Sequence, residues 1–228
     1  MARVKTLFFD VGNTLLFPDW ERILAPLHER QVFPQPTQLL ALERRTKREF
    51  DALGRDGRVD HGFWYIFYSH LLEELDLHDD RLRGELVNRI RVSANWRIIR
   101  PGTREILQRL GALYRLGIIS NADGKIADVL KACGIDDCFL SITDSGLVGK
   151  EKPHPAVFEA ALRSLNAEAG QSLYVGDVYS VDYVGAANAG MQAILLDASG
   201  AYRDTQWPRV ESLTELEAKL EEVWGRSD

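Results

Sequence analysis

Asp10, Ser120, Lys152, Asp177 and Asp182 are the residues of this chain whose types and settings could do chemistry. Asp10 closes the apolar run Leu7-Phe8-Phe9 and is followed at once by the turn-forming Gly12-Asn13-Thr14. A buried strand delivers a reactive side chain in this way, to the carboxyl edge of a parallel sheet, where open α/β folds bind their ligands. Ser120-Asn121 follows a strand-like stretch at 116–119, and Lys152-Pro153 lies in the loop after another at 139–142. Gly176-Asp177, with Asp182 beyond, follows a third at 172–175. Taken singly these are common turn or loop residues. Standing in order at the carboxyl ends of successive strands, they converge on Asp10 in one crevice.

The elements that must position them alternate in type. Strands are expected at 4–9, 116–119, 139–142, 172–175 and 193–196, and helices at 103–113, 124–133, 155–165, 183–189 and 214–224. Thr103 is expected to cap the first of these helices. Such alternation implies a Rossmann-like parallel sheet covered on both faces, an α/β core. From 20 to 95 there is no convincing strand, and apolar residues recur at helical spacing. Ile23, Leu24 and Leu27 form one set, and Leu39, Leu40 and Leu42 another. Phe63, Ile66, Phe67, His70 and Leu71 make a third, and Leu82, Leu86 and Ile90 a fourth. Breaks fall at 33–36, 54–57 and 76–80. The expectation is an all-helical cap domain over 17–96, inserted into an α/β core formed by 1–16 and 97–228.

The size, 228 residues, allows one large domain or a core with a smaller insert. An apolar share of 45% and a charged share of 27% are those of an ordinary globular protein. A net charge of −6 argues against nucleic-acid binding, though a local cation can still attract a small anion. With no signal-peptide pattern and no long apolar run, a cytoplasmic protein without membrane partners is expected. Cys133 and Cys138 have no metal-ligand spacing and read as reduced thiols.

The set of motifs resembles the haloacid dehalogenase (HAD) superfamily of hydrolases with a helical C1-type cap, over essentially the whole chain. Ser120-Asn121, Lys152-Pro153-His154-Pro155 and Val175-Gly176-Asp177 to Asp182, continued by Gly185-Ala186-Ala187-Asn188-Ala189-Gly190, match its second to fourth motifs. The wording from Val178 to Tyr183 looks, more loosely, like the HAD-like hydrolase domain-containing 3 subgroup. The resemblance implies that Asp10 is a nucleophile forming an aspartyl-phosphate. It implies Mg²⁺ held by Asp10, the Gly12 carbonyl and Asp177, with Asp182 as a further or water-mediated ligand. A helix N-cap is the alternative for Asp182. Lys152 would neutralise Asp10 and the phosphoryl oxygens, and Ser120 with the amides of Asn121 and Val11 would bond those oxygens. Lys150 competes with Lys152, but the family lysine directly precedes proline.

Position 12 departs from the family pattern, Asp-x-Asp-Gly-Thr, because this chain reads Asp10-Val11-Gly12-Asn13-Thr14. Asn13 tolerates a positive φ better than most residues. Gly12 removes the general acid for the leaving oxygen, a group worth about 10²–10⁴-fold. Three readings follow. One is a Mg²⁺-dependent phosphatase, attenuated or narrow, acting on a small phosphate ester or acyl phosphate. One is a metal-free hydrolase of C–halogen bonds, like the 2-haloacid dehalogenases. The third is a non-catalytic binding or regulatory protein. Candidate cap residues facing substrate are Trp20, Arg22, His61, Trp64 and Tyr65, with His61 able to replace the missing acid. The pattern fits a monomer or a homodimer.

Overall fold

The computed structural model describes residues 3–55 and 62–224. From the N-terminus the chain forms β1 (Thr6–Phe9) and β2 (Leu16–Pro18), then α1 (Trp20–Ile23), α2 (Ala25–His28), α3 (Pro36–Arg55), α4 (Phe63–Glu74) and α5 (Asp80–Arg91). It returns through β3 (Trp96–Ile99) to α6 (Thr103–Leu113), β4 (Arg115–Ser120), α7 (Ile126–Ala132), β5 (Ser141–Asp144) and α8 (Ser145–Val148). Then come α9 (Pro155–Ser164), β6 (Ser172–Gly176), α10 (Val184–Asn188), β7 (Gln192–Leu196), β8 (Arg209–Val210) and α11 (Leu213–Trp224).

The main sheet has the order β5-β4-β1-β6-β7-β8 with every pairing parallel. Its strands alternate between two buried faces. Leu7, Phe9, Ile118 and Val175 point into one apolar cluster. Phe8, Ile119 and Tyr174 point into the other, against Val157 and Phe158 of α9. Burial on both sides is why the strands read as continuous apolar runs. β1 lies at the centre, Phe9 level with Ile118 of β4 and Val175 of β6, so Asp10 emerges beside the ends of both neighbours.

The cap is helical and inserted between core strands. One face of each longer helix supplies its own core, in which Leu39, Phe67, Leu71, Leu82, Leu86 and Ile90 are buried together. Leu40 falls outside that stripe and is exposed. The chain enters and leaves the cap through an antiparallel ribbon of β2 and β3, which the sequence reading did not anticipate. Segments of three and four residues, the first ending in a proline, are too short to show a strand period.

Element edges differ from expectation in small ways. β5 starts at Ser141, because Phe139 ends a tight turn and packs edge-on against Phe9. Thr103 is not a cap: Gly102, with φ 82°, holds that position, and no side chain bonds the helix end. Cys133 and Cys138 are free, and burial pushes both thiols up, which makes them weak nucleophiles. No described helix is long and apolar enough to cross a membrane.

Candidate active site

Asp10 extends β1 by one residue, its N–H donating to the Val175 carbonyl at 2.8 Å. Its carboxylate meets the ammonium of Lys152, with Nζ 2.8 Å from Oδ1. The same Nζ lies 2.8 Å from Asp182 Oδ1 and 2.8 Å from the Tyr174 hydroxyl. An ammonium has three donors, and these three partners use them all. Lys152 is thereby fixed rather than mobile. Its pKa is raised: burial works against the charged form, and Asp10 and Asp182 outweigh it. Asn121 holds the lysine's backbone, its Oδ1 accepting from Lys152 N at 2.7 Å and its Nδ2 donating to Lys152 O at 3.1 Å. Lys150 stands exposed at the rim of the crevice, so the structure puts Lys152 on Asp10.

The fourth-motif loop is built round Asp182. Its Oδ2 accepts from the amides of Asp177 at 3.0 Å and Val178 at 2.9 Å. The carboxylate therefore reaches back along the chain and closes the loop, where an N-cap would bond amides ahead of it. Its other oxygen also lies 3.0 Å from the Tyr174 hydroxyl. The loop folds so tightly onto β6 that a Cβ on Gly176 would lie 2.4 Å from Asp182 Cγ. Glycine at 176 is a steric requirement of this arrangement.

Oxygens of Asp10, Asp177 and Asp182 lie within 4.8 Å of one another, all buried. Burial raises the Asp10 carboxyl to about 6, against the pull of Lys152. Burial likewise raises Asp177 to about 7, against the pull of Lys47. Clustered carboxylates held away from water leave room for a further cation. Hard oxygen donors of this kind fit Mg²⁺. Asp182 has both oxygens engaged by protein donors, which leaves Asp10 and Asp177 as the freer ligands.

Lys47 on α3 was not foreseen. It is fully buried, its Nζ 2.8 Å from Asp177 Oδ2 and 2.8 Å from Glu43 Oε1. Nearby, Asp51 Oδ1 accepts from Ser180 N at 2.9 Å, and its Oδ2 accepts from the Tyr202 hydroxyl at 2.8 Å. Arg44 and Arg48 bond the carbonyls of Ser199 and Ala201. One polar face of α3, repeating every four residues, docks the cap on the core. That i, i+4 run of charge was the signal available in the sequence.

Between cap and core lies a crevice of about 830 Å³, lined by Val11, Gly12, Ser120, Asn121 and the acidic cluster below. Trp64, Phe63 and Trp96 line it from above. Trp96 is the second residue the sequence reading missed. Its ring lies against Gly12, where a Cβ would come 3.2 Å from the indole. Asn13 takes φ 53°, as its type allows. Tyr174, the third missed residue, sat inside an apolar strand, where a buried phenol needs a partner. Of the expected cap residues that the structure describes, only Trp64 lines the crevice. Trp20 stacks on Phe67 at 5.8 Å in the cap's own core. Arg22 is exposed and bonds the Ala94 carbonyl, and Tyr65 is exposed under Arg83. His61 lies outside the described residues.

The chain matches the family description "haloacid dehalogenase-like hydrolase" over residues 4–190. It is 31% identical to the haloacid dehalogenase-like hydrolase domain-containing protein 3 of Xenopus laevis over 207 residues, 85% of this chain and 84% of that protein. It is 41% identical to the glyceraldehyde 3-phosphate phosphatase of Pyrococcus abyssi, over 96 residues that make up 41% of this chain and only 40% of that one. The fold is similar to that of the HAD-hydrolase YfnB of Bacillus subtilis, solved with magnesium bound, at a TM-score of 0.70 and 22% identity, covering 96% of this chain and 99% of that one.

Proposed function

The chain belongs to the haloacid dehalogenase-like hydrolases, and on that premise we propose that it hydrolyses a small phosphate ester or acyl phosphate through an aspartyl-phosphate on Asp10, with Mg²⁺. The observation that carries this reading is the position of Lys152, 2.8 Å from both Asp10 and Asp182. Asp10 and Asp177, with the Gly12 carbonyl, hold Mg²⁺, and Asp182 fixes the loop and the lysine. When bound there, Mg²⁺ supplies positive charge against the phosphoryl oxygens. Domain limits at 16/17 and 96/97 belong to the same reading, and both cut the chain within the β2–β3 ribbon, each after the first residue of its strand.

An Asp10 oxygen attacks phosphorus in line, and the bond from phosphorus to the leaving oxygen breaks with its electron pair going to that oxygen. Lys152 favours the deprotonated form of Asp10 against burial and offsets charge on the transferring group. Ser120 and the amides of Val11 and Asn121 bond its equatorial oxygens. Water then attacks phosphorus, releasing phosphate and restoring Asp10. No side chain stands at position 12 to protonate the leaving oxygen, so activity is attenuated on alkyl phosphates. Groups that depart as anions are the better substrates.

A second reading has one observation in its favour. The Lys47 ammonium already neutralises Asp177, which suits a metal-free hydrolase of C–halogen bonds. One assay separates them. Acetyl phosphate and p-nitrophenyl phosphate are offered with and without Mg²⁺, beside chloroacetate. Mg²⁺-dependent phosphate release that vanishes in Asp10→Asn supports the first reading. Chloride release without metal overturns it.

A further inference from the structure

We propose that the crevice selects a phosphate carried on a planar aromatic ring, and that Trp96 is the residue that seats it. The inference rests on the phosphatase reading above and names its substrate class. Two residues from Asp10, the backbone of Gly12 is covered by the Trp96 indole, with Cζ3 3.2 Å from where a Cβ would be. The wall next to the reacting centre is therefore aromatic.

That wall is fixed. The indole N–H donates to the Ile90 carbonyl at 2.7 Å. Trp64 packs edge-on against the same ring, centroids 5.6 Å apart at 62°. Phe63 packs edge-on against Trp64 in turn, at 4.9 Å and 81°. Rings held by a hydrogen bond and by each other form a preorganised slot and not an adaptable surface.

The described cap wall offers little else. Apart from the aromatic residues and Ile90, it contributes Arg91 and Ser93. The Ser93 hydroxyl is taken up by Asp123 Oδ1 at 2.6 Å. Against the aromatic part of this wall a sugar or polyol phosphate would bury hydroxyls without partners, which is unfavourable, and Arg91 at its exposed end is the described cap residue that could bond one. A planar ring finds edges and faces to pack on. The volume, about 830 Å³, falls in the range of pockets that enclose an organic molecule.

The chemistry agrees with the shape. An aryl phosphate loses its leaving group as a phenolate, whose conjugate acid has a pKa of about 10. The electron pair of the broken P–O bond stays on that oxygen, which takes its proton from water after departure. No acid is needed at position 12, where none stands. An acyl phosphate meets the same chemical condition and has no ring to bury.

The test compares phenyl phosphate, acetyl phosphate and glycerol 1-phosphate as substrates, with Mg²⁺. It also compares phenylphosphonate with methylphosphonate as ligands by calorimetry. The expected order of kcat/KM is phenyl, then acetyl, then glycerol phosphate, with phenylphosphonate binding about tenfold more tightly than methylphosphonate. In Trp96→Leu the ratio of phenyl to acetyl kcat/KM falls about tenfold, chiefly through the KM for phenyl phosphate. Should that variant fail to fold, Trp64→Leu on the same wall lowers the same ratio. Equal binding of the two phosphonates overturns the inference, as does a ratio unchanged in both variants. If phenylphosphonate binds preferentially while no phosphate is released from any substrate, the ring preference stands and the phosphatase reading falls.

Discussion

The ammonium of Lys47, on the longest helix of the cap, lies 2.8 Å from Oδ2 of Asp177 in the core. Both side chains are buried. Cap docking and the acidic cluster are thus one electrostatic unit: whatever changes the charge on Asp177 changes what holds α3 in place. With Asp51 on Ser180 and Tyr202, it joins α3 to the loops after β6 and β7.

Removing the lysine tests that unit. Lys47→Met leaves Asp177 and Glu43 without their buried cation, a change that costs about 3–5 kcal/mol. For a chain of this length the loss corresponds to a fall in Tm of about 10 °C. Saturating Mg²⁺ should recover part of it by returning positive charge to Asp177. Thermal unfolding with and without Mg²⁺ measures both effects. A variant as stable as the wild type without metal contradicts the account.

The contact between Gly12 and Trp96 governs any attempt to restore the absent acid. In Gly12→Asp the new Cβ presses on the indole at 3.2 Å. Overpacking of this kind costs about 1–3 kcal/mol, and the hydrogen-bonded indole must give before the new carboxyl can settle. Little gain in alkyl-phosphate turnover is expected from that change alone. Combined with Trp96→Ala, it should raise glycerol-phosphate turnover about 100-fold. Steady-state rates for the two single variants and the double variant decide the matter. A full gain in the single Gly12→Asp variant shows that the indole is no obstacle.

Gly176 carries a steric prediction. Ala at this position would place its Cβ 2.4 Å from Asp182 Cγ and 2.5 Å from Asp182 Cβ. The carboxylate must leave its place on Lys152 and on the amides of Asp177 and Val178. Gly176→Ala should lose about 3 kcal/mol in urea unfolding, together with hydrolytic activity. Unchanged stability would mean that Asp182 does not close the loop as described.

The titration of the cluster gives a pH dependence. Asp10 is raised to about 6 and Asp177 to about 7, in each case chiefly by burial. A carboxyl with a raised folded-state pKa binds its proton more tightly when folded. The stability it contributes is complete below its ordinary value of 3.8 and is lost as pH rises through 6 and 7. Metal-free protein should therefore lose Tm through these groups as pH rises from the ordinary value of 3.8 to about 7, and no further above it. Mg²⁺ competes with those protons, so its stabilising effect should be larger at about pH 8 than at about pH 5.5. Unfolding scans over pH at fixed Mg²⁺ check the sign. A larger Mg²⁺ effect in acid contradicts it.

Legibility in the sequence followed how local each signal was. Asp10, Lys152 and Asp177 each stand just past an apolar run or beside a proline, so a short window reveals them, and parallel strands bring such ends together. Lys47 sits among Glu43, Arg44, Arg45, Arg48 and Glu49, where a charge run reads as a solvated face. What buries it is a core loop far along the chain. Trp96 meets Gly12 across the whole cap insertion, and no periodicity records such a contact. Trp20 lies on the cap helix nearest the first motif, yet its ring is claimed by Phe67. Side-chain direction on a one-turn helix is decided by packing, which spacing alone does not show.

The most direct test of the central claim is the covalent intermediate on Asp10. The protein is mixed with radiolabelled acetyl phosphate and Mg²⁺, quenched in acid within the first turnover, and digested for mapping. The account predicts an acid-stable, hydroxylamine-labile phosphoryl group on the peptide bearing Asp10, absent without Mg²⁺ and absent in Asp10→Asn. Phosphate release with no label on that peptide, or label that persists in Asp10→Asn, contradicts it.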